Sequence, residues 1–157
     1  MIRPGAVALV LAALATPASA AAEPFALGIL VGSPMGISAR LALGRPFALD
    51  LAVGAASIGD GGPDVHLDAL WHPVFLAESD RFALPIYVGL GGRVMSAETK
   101  HQGNDLHVGV RVPVGLLAEL RPAQLQTFAE VAGVADVVET NHSVFNVDVG
   151  GGLRYSF

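Results

Sequence analysis

Residues 145–157 read FNVDVGGGLRYSF, and their alternation decides the fold. One set of every-second positions is Phe145, Val147, Val149, Gly151, Leu153, Tyr155 and Phe157; the other is Asn146, Asp148, Gly150, Gly152, Arg154 and Ser156. A two-residue period of this kind is a β-strand with one apolar and one polar face. The strand closes on an aromatic residue at the chain terminus, while the chain opens on an export signal. Together these features predict an outer-membrane β-barrel.

At the other end, Arg3 supplies a positive start, Ala6–Ala15 an apolar core, Thr16-Pro17 a break and Ala18-Ser19-Ala20 an A-x-A site. Residues 1–20 are therefore expected to be a Sec-type signal peptide cut after Ala20, with Ala22 as the second position. The apolar core is too short for a spanning helix, which needs roughly 20 residues. The chain has no cysteine, which excludes disulfides, cysteine–metal sites and a lipoprotein anchor. Arg3 is the sole charged residue in 1–20, so its removal takes the formal charge from -5 to -6. This acidity argues against a nucleic-acid partner, which would require a basic stripe. Mean hydropathy is +0.55, yet no apolar run beyond the signal reaches helix-spanning length. A hydrophobic exported chain of that kind suits a barrel, whose membrane signal is alternation.

Residues 21–157 form one expected domain with eight alternating segments: 25–32, 37–43, 47–57, 64–76, 82–96, 106–120, 125–138 and 145–157. Gly, Pro, Asn and Asp mark nearly every boundary. The predicted class is all-β, an eight-stranded antiparallel up-and-down transmembrane barrel, in which closure removes exposed edges. With the N-terminus on the periplasmic side, connections 33–36, 58–63, 97–105 and 139–143 face outward and 44–46, 77–81 and 121–124 inward. Phe25, Phe47, Phe75, Phe82, Phe128, Tyr155 and Phe157 then gather towards the periplasmic end, as an interfacial aromatic girdle requires. Three prolines fall inside segments. Pro73 and Pro85 lie near strand ends, whereas Pro113 sits mid-strand and is expected to need a bulge.

The opposite face carries charges of both signs among Gly and Ala, which suits an interior with room only for side chains. Arg40, Arg93, Arg111 and Arg154 are set there against Asp50, Asp68, Glu119, Glu130, Asp136 and Asp148. Each needs a partner, because an unpaired buried ion costs several kcal/mol. Which pairs form depends on register and stays open.

The signal, the eight segments and the terminal aromatic resemble small outer-membrane barrels of the OmpA/OmpX type. In that family the last strand carries an assembly signal, and Gly152, Tyr155 and Phe157 match its spacing, with its polar position falling on Gly150. The resemblance implies outer-membrane lipid as surroundings and the outer-membrane assembly machinery as a partner of the C-terminal strand. It does not fix a function, since the fold serves many.

Other constellations read more simply as structure. Some eight-stranded barrels are lipid A deacylases with a His-x-Ser-Asn motif; here His142 and Ser143, near Glu139, are adjacent and point to opposite sides of an extended segment. A polar loop is the plainer reading. His66, Asp68 and His72 share one strand face, with His107 on another strand, but residues strung along a strand do not converge on one metal. Gly150–Gly152 has no following helix to bind an anion. Eight strands leave no pore, and only 97–105, with Lys100, His101, Asn104 and Asp105, offers a contact patch. No catalytic, cofactor or metal residue is therefore assigned. The expected function is a structural or surface-interaction protein of the outer membrane without catalysis. The alternatives are a lipid-modifying barrel enzyme of the deacylase kind and a soluble periplasmic lipocalin-like barrel binding a small apolar ligand.

Overall fold

A computed structural model of the protein describes residues 24–55, 62–99, 103–137 and 145–157. The signal segment 1–20 with its cleavage positions, the deacylase-like residues Glu139, His142 and Ser143, and 100–102 of the third outer connection lie outside the described residues.

Eight strands form: β1 (Phe25–Gly32), β2 (Met35–Gly44), β3 (Phe47–Ala55), β4 (Pro63–Glu78), β5 (Phe82–Thr99), β6 (Gly103–Leu120), β7 (Leu125–Asp136) and β8 (Phe145–Ser156). Each pairs antiparallel with its sequence neighbours, and β8 returns to β1, so the sheet is a closed up-and-down barrel. The β1–β2 turn is tighter than the sequence pattern suggests, because β2 already begins at Met35. Arg121–Ala123 makes a single 3-10 turn, released into β7 by Gln124 in the left-handed region at φ 53. Following the paired residues Leu27, Ala39, Leu51, Leu67, Gly92, Val110, Ala135 and Phe145 around the barrel, and extending the β8–β1 register, returns to β1 about ten residues along. A stagger of this size tilts eight strands by about 40°.

The period-2 pattern becomes an inside and an outside. Outward positions are apolar on every strand, with Ile29, Ile37, Leu67, Leu90, Val114, Val131 and Val149 all exposed. Thr127 is a polar member of this face, and its hydroxyl donates to the Gly152 carbonyl at 3.1 Å. Inward positions hold a small apolar cluster, Leu30, Ala48, Ala52, Leu70, Tyr87, Leu117 and Phe128, together with the charged residues described below.

The prolines are accommodated otherwise than expected. The β5–β6 register is constant from Phe82↔Leu120 to Thr99↔Gly103, so Pro113 causes no bulge. It pairs with Ala132 on β7, and on the β5 side the ladder skips Gly89 and Leu90 without slipping. Gly89 is what allows this: a Cβ there would lie 2.5 Å from Leu70 Cδ2 and 3.0 Å from the Pro113 ring. Register shifts fall in the β4–β5 pair, between Trp71 and Val74 and between Phe75 and Ala77, and in the β2–β3 pair, between Ala42 and Gly44. Pro73 lies in the first, where a residue unable to donate to the ladder costs least.

The aromatic rim also needs two corrections. Phe25 and Phe157 pack with ring centroids 6.1 Å apart, Tyr155 meets Phe157 edge-on at 5.2 Å, and Trp71 sits opposite Phe47 in register. Two residues expected in this girdle turn inward instead: Phe128 lies inside the barrel at 6% exposure, and Phe75, which the first β4–β5 shift sets opposite the buried Pro85, is half-buried at the mouth of the lumen.

Candidate functional site

The lumen is built by alternation alone: every strand turns one side chain in two toward the axis, and the closed register stacks these chains in layers. Four guanidiniums (Arg40, Arg93, Arg111, Arg154) face six carboxylates (Asp50, Asp64, Asp68, Glu130, Asp136, Asp148), and they sort into three groups along the axis.

Nearest the short turns, Arg40 and Arg154 converge on Asp50. Arg40 Nη1 donates to both Asp50 oxygens at 3.1 and 3.4 Å, and Arg154 Nη2 donates to Oδ2 at 2.8 Å. Arg154 also donates to Ser38 Oγ through Nε at 3.0 Å and Nη2 at 2.7 Å, with its guanidinium 3.9 Å over the Phe128 ring. The alternation of β7 turns Phe128 inward, and this cation–π contact gives the ring a charged partner there. His72 completes the group. Its Nδ1 lies 2.9 Å from the Pro46 carbonyl, which only accepts, so Nδ1 carries the proton and Nε2 receives Arg40 Nη2.

In the middle, Arg111 bridges Asp68 and Glu130, with its Nε 3.7 Å from Asp148. The buried Tyr87 hydroxyl donates to Glu130 Oε2 at 2.8 Å. Towards the longer loops, Arg93 Nη1 reaches both Asp148 oxygens at 3.2 Å and Nη2 reaches Asp136 at 3.4 Å, while Asn146 donates to Asp136 at 3.2 Å. His66 lies between two carboxylates, 3.7 Å from Asp64 and 4.0 Å from Asp68.

Nine of the ten charged residues expected inside, all but Glu119, therefore meet opposite charges there. Glu119 points inward but at the short-turn lip, and it makes no hydrogen bond or ion pair with the lumen arginines among the described residues. Asp64, Ser38, Gln126 and Asn146 join the interior polar set. Asp64 shares the alternate positions of His66 and Asp68, which was the available signal for it. The histidines do not gather: His72 is committed to Arg40 and the Pro46 carbonyl, at the opposite end of β4's inward row from Asp64. Among the described residues no three His, Asp or Glu side chains form a metal-holding group. At the lip, Glu78 accepts from Arg45 and from Arg121 (3.2 Å), and Arg121 donates to the Ser79 carbonyl at 2.8 Å, tying three short turns together.

The architecture matches two solved structures. The N-terminal β-barrel domain of Pseudomonas aeruginosa OprF superposes with a TM-score of 0.59 at 17% identity, covering 83% of this chain and 96% of that one. Acinetobacter baumannii CarO gives a TM-score of 0.55 at 13% identity, covering 85% of this chain and 98% of that one. At these identities the likeness is one of fold. No family model and no curated protein matches the sequence.

Proposed function

We propose that this chain is an integral outer-membrane barrel with a structural or surface-interaction role and no catalytic chemistry. The observation that carries the reading is the partition of its two faces. The outside is a continuous apolar belt, with Ile37 at 60% and Leu90 at 62% exposure, while the buried inside is where the ions are paired. A monomeric soluble protein rarely exposes an apolar patch beyond a few hundred Å². A lipocalin-like carrier of an apolar ligand would need the reverse arrangement, an apolar lumen inside a polar wall. Lipid is the solvent that fits this exterior, and the export signal at 1–20 supplies a route to the outer membrane.

Fractionation tests the proposal directly. The protein should stay with membranes through high-salt washing and leave them only with detergent; release by salt alone would overturn the assignment. A substitution gives a graded version of the test. Val131→Arg on the outer face should lower stability in lipid vesicles by about 2–4 kcal/mol if the position lies near the bilayer midplane. In a water-exposed position the same change would stay within about 0.5 kcal/mol.

The terminal strand is the proposed point of engagement with the assembly machinery, through Gly152, Tyr155 and Phe157. Phe157 supports this with its ring against Tyr155 and its backbone N–H bonded to the Phe25 carbonyl at 2.8 Å. Phe157→Ala is expected to cut the heat-modifiable, membrane-embedded fraction in cells while leaving refolding into detergent largely intact. Undiminished insertion of the variant would remove the assembly role.

A further inference from the structure

At the short-turn end the lumen opens into a cavity of about 1050 Å³, floored by Arg40, His72, Gln126 and Ser156 and walled by Ala42, Phe75 and the charged lip. Its size is at the upper end of pockets that take small molecules, roughly 300–1,000 Å³. The charges around it are matched among themselves. Arg40 holds Asp50, Arg45 and Arg121 both hold Glu78, and Glu119 completes a lip of two guanidiniums and two carboxylates. The His72 ring is used at both nitrogens. The lip therefore offers no net charge to a ligand of either sign.

The open polar groups are of both hydrogen-bonding kinds. Gln126 and Ser156 keep 8% and 4% of their surface, and both line the floor. The Gln126 side-chain oxygen is enclosed, so the end of its amide that remains open is the NH2. Neither that NH2 nor the Ser156 hydroxyl makes a hydrogen bond among the described residues. Glu119 supplies an acceptor. It sits directly opposite Gln126 in the β6–β7 register, so their Cβ atoms are about 5 Å apart on the same inward face. Glu119 is half-buried, and among the described residues no donor reaches its carboxylate. A ligand that meets all three groups has to accept from an amide, donate to a carboxylate and carry no charge of its own. Hydroxyl groups do both, since each holds one donor and two acceptor lone pairs.

We infer that this cavity is a binding site for a small neutral polyhydroxylated solute, a sugar of hexose size or somewhat larger. Its hydroxyls are held between the Gln126 NH2 and Ser156 hydroxyl at the floor and the Glu119 carboxylate at the lip. The hydrogen bond to Glu119 is charge-assisted and is the strongest of the three. The ring carbons lie against Ala42 and the half-buried Phe75, which supply the apolar part of the wall. Because the floor donors have no protein partner, the solute binds without breaking a bond of the fold. The site opens to water on the short-turn side, away from the paired ions of the mid-lumen.

The test is a titration of the folded protein with glucose in dodecylphosphocholine micelles, whose headgroup is not a sugar, followed by NMR at the Gln126 side-chain amide and the Ser156 backbone. Saturable shifts at both are expected. Ser156→Ala should raise the Kd by about three- to tenfold, the loss of one hydrogen bond. Glucosamine and glucuronate, the same ring with one positive or one negative charge, should bind no more tightly than glucose. Tetrahydropyran, the ring without hydroxyls, should bind more weakly. The inference is overturned by the absence of saturable shifts with glucose, by an unchanged Kd in Ser156→Ala, by tighter binding of either charged sugar, or by tetrahydropyran binding as well as glucose. Gln126→Leu is a second variant expected to weaken binding by a similar factor; if it does not fold, Ser156→Ala, which removes a hydroxyl without a protein partner, still decides.

Discussion

Arg111→Ala should lower the stability of the barrel by about 3–5 kcal/mol, the cost of removing one member of a buried ion group. Arg111 is 2% exposed and serves Asp68 and Glu130 directly, with Asp148 beside its Nε. Its loss leaves two carboxylates facing each other across the mid-lumen, where water cannot replace the guanidinium. Urea unfolding in lipid vesicles, followed by the gel shift between folded and unfolded forms, reads the difference. The comparison is Arg45→Ala at the lip, where an exposed bridge contributes at most about 1 kcal/mol. Neutralising the whole group, with Arg111→Met, Asp68→Asn and Glu130→Gln together, should recover much of the loss, because the penalty comes from orphaned charge. A single Arg111→Ala that costs no more than Arg45→Ala would mean that the lumen ions do not support the fold.

The second large effect lies at the seam where β8 returns to β1. Seven residue pairs hold it, from Ala26↔Ser156 to Gly32↔Gly150. A Cβ on Gly28 would fall 1.9 Å from the Leu153 carbonyl oxygen and 2.6 Å from the Arg154 Cα. Both are backbone atoms of the partner strand, so neither can rotate away, and the short β1 offers few other pairs to compensate. Gly28→Ala is expected to cost about 3 kcal/mol, at the upper end of overpacking effects, and to sharply reduce the folded yield. Gly92→Ala is the matched control: it faces outward on β5 with its nearest contact at 3.8 Å, so it should fold normally. Equal yields from the two variants would show that the seam tolerates separation.

The eight strands were legible in the sequence because each repeats the same two-residue period, and a closed meander is what eight such strands with short connections form. Side-chain direction was legible for the same reason, and so were nine of the ten lumen charges. The pairing was not. Arg154 finds Ser38 and Asp50 across β1, and Arg111 finds Asp68 two strands away; these partners are set by the stagger of the closed sheet, which no local pattern records. Two errors had different origins. Phe128 was placed in the rim by residue type, although the alternation that turns Glu130 inward turns Phe128 inward too. Pro113 was read as a bulge because the missing donor was weighed alone, when the small neighbour at Gly89 lets the ladder lapse without changing step.

The bonds that Arg154 makes across β1 also bear on how the barrel would come apart. They join residues more than a hundred positions apart in the chain and cannot form until the last strand has met the first. Contacts of such long range are expected late in folding, so weakening them should leave the rate of folding nearly unchanged and speed unfolding. Arg154 thus acts as a bolt on the seam, and its main contribution is to the lifetime of the closed state.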